Sequence, residues 1–338
     1  MKKKLLSLLQ YLFFLALGVF LVWWSMRNIS DSDWADIKQA FANANYWLIV
    51  PVIITLLLSH LSRAMRWKIL MEPLGYKTKL SNTYMAVLVG YMANLAVPRL
   101  GEVLKCTILA RYEKVPADKL VGTIVAERAF DVICLAIIIS ITVIVQADVI
   151  GDYIGSLLGS LVESKTSSFS TQRLIIIVSV LILLIGFAWF ILRKLSHLNF
   201  IQKIKQILSG IWAGVISVRY LKNKTWFLVH SVFIWIMFLL SVQIGLWGLK
   251  ETAGYGLKEA LSVLSTGSIA MIIPTPGGIG VYPIFVQQTM VVYGLKESIG
   301  FAFGSLMWGV QFFQMLVSGF LALILLPYLN KNTRHEKR

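Results

Sequence analysis

The chain has 338 residues, of which 57% are hydrophobic and only 14% are charged, and its mean hydropathy is +0.75. Soluble globular domains have a charged fraction of ~25%, so this composition excludes that class, and the continuous apolar runs are unlike the alternating strands of an outer-membrane barrel. The net charge is +16. Because the basic residues border the apolar runs, they indicate membrane orientation and contact with anionic lipid headgroups rather than with nucleic acid.

Six apolar segments are long enough to cross a bilayer, which predicts an all-α polytopic membrane protein. In chain order they are residues 5–24, 46–62, 120–145, 174–192, 226–249 and 300–326. Between the fourth and fifth, residues 193–224 carry Lys and Arg interleaved with apolar residues. That pattern is typical of an amphipathic helix lying on the cytoplasmic membrane surface.

Two further apolar segments, 81–111 and 257–293, are interrupted by prolines and glycines. The first is broken at Pro98-Arg99-Leu100-Gly101-Glu102 and the second at Pro274-Thr275-Pro276-Gly277-Gly278-Ile279-Gly280. Neither break can continue a helix, and within a bilayer such backbone is tolerated only where protein or a water-filled cavity satisfies it. We therefore predict two re-entrant helical hairpins. An ordinary loop between two spans is the alternative for the second break.

The distribution of basic residues predicts how these segments are oriented. Most Lys and Arg residues fall in the N-terminus, in 63–79, 99–119 and 193–224, and in the C-terminal tail. The positive-inside rule assigns these parts to the cytoplasmic side of the cell (inner) membrane, with both termini inside. Termini on the same side require an even number of full crossings. Six spans and two hairpins satisfy this requirement.

The two hairpins are predicted to enter the membrane from opposite faces, and their breaks share the pattern Pro-x-x-Gly. Opposite orientation and a shared break are expected of an inverted-topology repeat, whose interrupted helices converge on a substrate site. We therefore predict a single domain over residues 1–338, with one repeat at about 1–145 and the other at about 173–327.

Charged residues inside apolar segments are candidates for function, because each costs at least ~2.5 kcal/mol in a bilayer without a partner or water. Glu127, Arg128 and Asp131 lie on the predicted span 120–145, and the two carboxylates share a helical face. They would either cross-link the helix bundle, or line a headgroup cavity or form a proton-linked pair. One site can do both.

Basic residues beside the first break indicate a phosphate ligand. A helix restarting at Gly101 would point free N–H groups at an anion, and Arg99 would add a bidentate donor close to Lys105. Arg63 and Arg66 share a face at the cytoplasmic end of the second span. Snorkelling to the membrane interface is the alternative for Lys105 and Arg99. Orientation with headgroup anchoring is the alternative for Arg63 and Arg66.

The sequence lacks the common motifs of catalysis and metal binding. The four histidines have no metal-ligand spacing, and there is no P-loop, nucleophile elbow or dinucleotide fingerprint. We therefore expect no catalytic residues, no metal and no cofactor, and we favour a non-enzymatic role.

Four motifs occur in an order that points to a known family: Arg63-x-x-Arg66-Trp67, Asn94 with Pro98-Arg99-x-Gly101-Glu102, Glu127-Arg128-x-x-Asp131, and Pro274-x-Pro276-Gly-Gly-x-Gly280. Together they resemble the flippase-like membrane region of lysylphosphatidylglycerol synthases, including stand-alone proteins that consist of this region. The resemblance covers essentially the whole chain. Two positions depart from it: Lys105 stands where arginine is expected, and Tyr282-Pro283 stands where many relatives carry an acidic residue.

The resemblance implies two re-entrant hairpins around a cavity that moves a phospholipid or polyprenyl-linked headgroup between leaflets. The soluble aminoacyl-transferring domain of the full-length synthases is not expected here, so lysyl transfer is not inherited. The alternatives are a membrane enzyme or enzyme subunit in lipid modification, and a structural or partner-binding membrane protein. Expected partners are the bilayer, its lipids, and a second copy of the chain or a separate lipid-modifying enzyme.

All four motifs contribute to the predicted headgroup cavity. Its residues are Arg63, Arg66, Asn94, Pro98, Arg99, Gly101, Glu102, Lys105, Glu127, Arg128, Asp131, Pro274, Thr275, Pro276, Gly277, Gly278 and Gly280. The arginines would attract phosphate, and Glu127 and Asp131 would hold counter-charges or an aminoacyl ammonium group.

Overall fold

The computed structural model describes residues 2–27, 30–147 and 218–331 of the chain. The predicted span 174–192 lies outside the described residues, as does most of the predicted surface helix 193–224. What is described is helical, with turns and no strand.

Ten α-helices make up the described part of the chain. They are α1 (Lys2–Arg27), α2 (Asp31–Ala42), α3 (Ile49–Met71), α4 (Leu80–Ala96), α5 (Leu100–Glu113), α6 (Ala117–Val145), α7 (Lys224–Leu246), α8 (Leu257–Ala270), α9 (Val281–Val292) and α10 (Glu297–Leu329). Short 3₁₀ turns lie at Tyr46–Leu48, Glu72–Leu74 and Pro276–Gly278.

Four helical segments within the described ranges are long and apolar enough to cross a membrane: Tyr46–Leu74, Ala117–Val145, Lys224–Leu246 and Glu297–Leu329. They coincide with the second, third, fifth and sixth predicted spans, and α1 covers the first. The second runs well past its predicted end at residue 62, so that Arg63 and Arg66 lie inside a continuous helix.

Large aromatic side chains are exposed near the ends of these helices. Trp47 is 85% exposed before α3, and Trp226 and Tyr328 are 60% and 63% exposed near the start of α7 and the end of α10. Trp and Tyr concentrate at membrane–water interfaces, because their rings are apolar and their polar tips reach water. The positions of these side chains support a bundle that crosses the bilayer.

Helices α3 and α7 pack side by side in opposite directions. Asn45, just before α3, donates its backbone N–H to the carbonyl of Gly248, just after α7, at 2.8 Å. At the other end the Asn223 amide donates to Glu72 at 3.1 Å. This antiparallel pair is the frame against which α6 and the first hairpin lie.

Helices α4 and α5 form the first hairpin, which matches the predicted segment 81–111. At its base the Asn82 amide donates to Glu113 Oε1 at 2.5 Å. Near its tip the backbones touch, since a Cβ on Gly101 would lie 2.0 Å from the carbonyl oxygen of Gly90. Only glycine lets the backbones of α4 and α5 approach this closely, and the close approach places the charges of α5 near α4.

Helices α8 and α9 form the second hairpin, which matches the predicted segment 257–293. Thr289 Oγ1 donates to Thr266 Oγ1 at 2.8 Å between the two helices. The turn contains Gly277, Gly278 and Gly280 with φ of 57°, 74° and 73°. Positive φ is cheap only for glycine, which explains why this turn is rich in that residue.

The two hairpins lie against α10 from its opposite ends. Asn82, at the base of the first hairpin, exchanges hydrogen bonds with Asn330 just after the C-terminal end of α10, at 3.0 and 2.8 Å. The second hairpin packs against the N-terminal half, where a Cβ on Gly300 would lie 3.1 Å from the carbonyl oxygen of Gln287. The two breaks therefore approach each other part-way along α10.

The tips of the hairpins are in contact. A Cβ on Gly277 would lie 3.2 Å from Leu95 Cδ2 near the end of α4, and Trp308 of α10 donates its indole N–H to the Gly277 carbonyl at 2.8 Å. The second tip also touches α1, because a Cβ on Gly280 would lie 2.3 Å from the Gly18 carbonyl oxygen. These contacts fix the position of the first break relative to the second.

Helix α2 is a short helix for which the sequence analysis made no prediction. Ser30 and Asp33 form a capping box, in which the hydrogen bonds from Ser30 hold the pKa of Asp33 below its usual range. Ile37 and Ala40 bury their side chains against Ile299 and Ala302 at the start of α10.

Candidate functional site

Five charged side chains form a buried group between α3, α5 and α6, which we call the ionic cluster: Arg63, Arg66, Lys105, Glu127 and Asp131. Arg63 Nη1 lies 2.9 Å from Glu127 Oε1 and 2.6 Å from Asp131 Oδ2. Arg66 Nη2 lies 2.6 Å from Asp131 Oδ1. Both arginines thus point into the protein rather than to the membrane interface.

Lys105 completes the ionic cluster from the first hairpin. Its Nζ donates to Glu127 Oε2 at 2.9 Å and lies 4.6 Å from the ring centroid of Trp67. Trp67 is fully buried and donates its indole N–H to Thr123 Oγ1 at 2.8 Å. Since Lys105 is only 5% exposed, it does not reach the surface by snorkelling.

A second, more exposed ion pair lies at the edge of the ionic cluster, and we call it the rim pair. Arg128 Nη2 contacts Glu102 Oε1 at 2.9 Å, and the two side chains are 44% and 25% exposed. Arg128 Nη1 is also 3.9 Å from Asp131 Oδ2. The charges therefore form a continuous path from the buried interior to an accessible surface.

A small, partly open pocket lies between the first hairpin and these charges. Its charged lining consists of Arg63, Lys105 and the rim pair, and Asn94 and Gly101 form the wall at the break. The sequence analysis predicted a headgroup cavity at this interruption, and the role of the pocket as a headgroup site stays a prediction.

The start of α5 is capped from within the hairpin. The N–H of Gly101 donates to Asn94 Oδ1 at 2.7 Å, so this donor, which the sequence analysis offered to an anion, already has a partner. Pro98 lies in the turn, and Arg99 caps α5 with a φ of 69° and an exposed side chain. Arg99 does not line the pocket.

The second break lies apart from the charges. Its residues Pro274, Thr275, Pro276, Gly277, Gly278 and Gly280 do not line the pocket, and the turn instead contacts residues that include Leu95, Trp308 and Gly18. The structure thus brings charged residues of the first three motifs together in one site, and the fourth motif approaches that site only through its contact with the tip of the first hairpin.

Several residues of the site carried no signal that the sequence analysis used. Ser231 accepts a hydrogen bond from Arg66 Nη1 at 3.2 Å, and Tyr91 lines the pocket with its ring 5.9 Å from the Arg63 guanidinium. His60 stacks on Tyr91 at 4.3 Å and is 1% exposed. A histidine inside an apolar span is itself a signal. His60 has no metal-ligand spacing to another histidine, so the sequence analysis did not include it among the site residues.

These features define the class of protein. An all-helical fold with four helices long and apolar enough to cross a bilayer, in the ranges described, makes it a multi-pass membrane protein. Within that class, a buried group of charges beside an interrupted helix is an unusual feature, since intramembrane charges are rare and mark functional sites.

Comparison with known proteins identifies the family. The family model described as Lysylphosphatidylglycerol synthase TM region matches residues 11–319, and the chain belongs to this family, which is tied to lipid modification or translocation. This confirms the resemblance noted from the four motifs. A similar protein is UPF0104 membrane protein MJ1595 of Methanocaldococcus jannaschii, 22% identical over 345 residues that cover 96% of this chain and 95% of the relative. No solved structure matches the chain.

Proposed function

We propose that this protein moves an anionic phospholipid or lipid-linked headgroup between the leaflets of the cytoplasmic membrane. The observation that carries this proposal is the ionic cluster beside a partly open pocket at the break of the first hairpin. Placing several cations in a membrane bundle is costly, and guanidinium and ammonium groups are suited to bind phosphate.

The arrangement of the hairpins supports a route through the bundle. The two hairpins approach from opposite ends of α10 and touch at Leu95 and Gly277. In the proposed orientation they are re-entrant from the two faces of the membrane, within six spans that form an inverted repeat. A headgroup would pass between the tips while its acyl chains stay in the bilayer.

Arg99 is the residue at the tip that we expect to meet the headgroup first. It is exposed, and its φ of 69° turns the chain at the start of α5. Its charge has no ion-pair partner among the residues that the structure describes, so it is available to a phosphate. The proposal therefore predicts that loss of Arg99 slows lipid movement more than loss of an equally exposed cation elsewhere.

The test is a translocation assay in liposomes with a fluorescently labelled anionic phospholipid. Wild type should move the lipid, and Arg99→Gly should slow this movement at least about tenfold. Lys114→Gly is the matched control, because Lys114 is an exposed cation with a φ of 60° at the other end of α5. If the wild type moves no lipid, or if both variants behave alike, the proposal is wrong.

A structural role is the second candidate, and a specific observation favours it. Arg63, Arg66 and Lys105 are all paired with carboxylates, so the ionic cluster ties α3, α5 and α6 together without a ligand. A purely structural cluster would leave Arg99 irrelevant to lipid movement. The translocation assay therefore separates the two candidates.

A further inference from the structure

We infer that His60 binds a proton at the junction of α3, α4 and α10, and that the protein takes up this proton as the tips of the two hairpins move apart. The proton site is inferred from the side chains around His60 alone. Its consequence, that lipid movement becomes faster as the pH falls, rests on the proposed function.

His60 is a buried polar side chain without partners. It is 1% exposed, and neither Nδ1 nor Nε2 has a hydrogen-bond partner among the described residues. The hydroxyl groups beside it on α3 are satisfied, since Ser59 donates to the Leu56 carbonyl at 2.7 Å and Ser62 Oγ lies 3.0 Å from His230 Nδ1. Buried polar groups without a partner are rare and need an explanation. A neutral imidazole has one N–H donor and one lone pair, so the unused lone pair of His60 is open to a proton.

A second unpartnered group faces His60 from α10. The Gln314 side chain is 4% exposed and approaches the imidazole. Its Nε2 donates to Ser318 Oγ at 3.1 Å, whereas its Oε1 is buried and has no partner among the described residues. A protonated histidine has two N–H donors, and Gln314 Oε1 is an acceptor for one of them. The two groups therefore become a matched donor and acceptor once His60 carries a proton.

The charges around His60 make proton binding depend on the conformation. Arg63 lies three residues further along α3, and the uncharged Tyr91 ring stacks on His60 from α4 at 4.3 Å. The carboxylates of α6, Glu127 and Asp131, are held by the cations of the ionic cluster. A buried imidazolium beside Arg63 would therefore lack a counter-charge of its own, which is costly. The described conformation is that of neutral His60, and a proton favours a conformation in which water reaches the imidazole.

The neighbours of His60 lie close to the contacts between the hairpin tips. Tyr91 lies four residues before Leu95 in α4, and Gln314 lies six residues after Trp308 in α10. Leu95 and Trp308 both contact the tip of the second hairpin. The two helices that approach His60 thus also hold this tip. A shift of either helix away from His60 admits water to the imidazole and separates the tips.

The first test measures whether His60 takes a proton in the purified wild-type protein. The imidazole C2 hydrogen exchanges with D2O at a rate that depends on protonation of the ring and on its contact with water, and mass spectrometry resolves this rate for each histidine. His60 should exchange with a sigmoidal pH profile whose midpoint lies between about 5 and 8. His230, which is partly buried, is the internal reference. If His230 exchanges and His60 does not at any pH in this range, His60 is a permanently neutral core residue and the inference is wrong.

The second test measures whether this proton affects lipid movement. In liposomes with a fluorescently labelled anionic phospholipid, the wild type should move the lipid faster as the pH falls through the midpoint measured for His60. His60→Gln keeps a hydrogen-bonding side chain but cannot take a proton, so its rate should not change with pH. The thermal unfolding midpoint in detergent checks that this variant is folded.

His230→Gln is the matched control, because it removes the other described histidine, which lies at the contact between α3 and α7. It should keep the pH dependence of the wild type. If His230→Gln loses the pH dependence and His60→Gln keeps it, the proton acts elsewhere and the inference is wrong.

The outcomes separate this inference from the proposed function. If His60 exchanges as expected and the wild type moves no lipid at any pH, the proton site stands and only the proposed function is wrong. If the wild type moves lipid at a rate that does not change with pH, His60 does not couple a proton to lipid movement and only this inference is wrong.

Discussion

The hairpin formed by α4 and α5 carries charged residues at its break, whereas the hairpin formed by α8 and α9 carries none. Arg99 and Glu102 lie within the first break, and Lys105 follows it. Residues 260–295, which contain the second break, include no Asp, Glu, Lys or Arg. Neutral pairs hold the second hairpin together, such as Ser262 Oγ and Tyr293 OH at 2.7 Å.

The comparison of the two hairpins shows that interrupting a helix does not require charged residues. The second hairpin shows that glycines, prolines and hydroxyl groups are sufficient to interrupt a helix and return the chain. Tyr282, which follows this turn, is 8% exposed and packs against the backbone at Gly267, where an added Cβ would lie 2.7 Å from the ring. The charges of the first hairpin therefore serve something other than the turn itself.

The largest expected effect is the loss of the central carboxylate of the first region. Glu127→Gln leaves Lys105 without a counter-charge in a buried site and removes one of the two carboxylates that Arg63 contacts, which should lower the free energy of unfolding by about 3–5 kcal/mol. Denaturant titration in detergent micelles measures this change. Glu251→Gln, at an exposed position between α7 and α8, should have little effect. Equal stability of the two variants would contradict the ionic cluster as described.

Local sequence signals predicted the positions of the breaks correctly. Proline and glycine act on their own backbone, so the interruptions at Pro98 and Pro276 are visible without any knowledge of neighbours. Apolar runs of sufficient length likewise gave the four candidate spans, because the thickness of the bilayer fixes the length of such a run. The number of spans and the inverted repeat stay predictions.

Long-range pairing was not predictable from the same signals. The predicted second span ended at residue 62 because charges begin there, but α3 continues to Met71. It can continue because Glu127 and Asp131, on a different helix, neutralise Arg63 and Arg66. The sequence around Arg63 and Arg66 does not show that their carboxylate partners lie more than sixty residues away. The sequence therefore could not decide whether these arginines anchor the helix at lipid headgroups or form buried ion pairs.

The next expected effect concerns the close packing inside the first hairpin. Gly101→Ala places a Cβ 2.0 Å from the Gly90 carbonyl oxygen, so α4 and α5 must separate, and stability should fall by about 1–3 kcal/mol. Gly122→Ala is the control, because a Cβ there meets nothing within 4 Å. It should be neutral or stabilise by up to ~1 kcal/mol, as alanine favours a helix over glycine. Thermal unfolding of both variants decides whether the contact is as close as described.

A smaller effect is expected where the second hairpin is held by a neutral hydrogen bond. Trp308→Phe removes the indole N–H that donates to the Gly277 carbonyl at 2.8 Å. The net loss should be about 1 kcal/mol, the typical contribution of one hydrogen bond. Trp47→Phe, at a side chain that is 85% exposed, is the matched control and should change stability less. A loss as large as that of Glu127→Gln would mean that the two hairpins do not differ in the way described.

The smallest effect is expected at an ion pair close to the second hairpin but outside it. Lys296 Nζ lies 3.1 Å from Asp36 Oδ2, and the two side chains are 73% and 32% exposed. Water screens such a pair, so Lys296→Gln should cost at most ~1 kcal/mol. In the same contact between α2 and α10, Ile37→Ala should cost about 2–5 kcal/mol, because Ile37 is 5% exposed and its removal leaves a cavity. Denaturant titration of both variants compares a buried contact with an exposed ion pair. A larger loss for Ile37→Ala would show that burial, and not charge alone, decides what a contact contributes, which applies also to the buried ion pairs of the first hairpin. A larger loss for Lys296→Gln would contradict this.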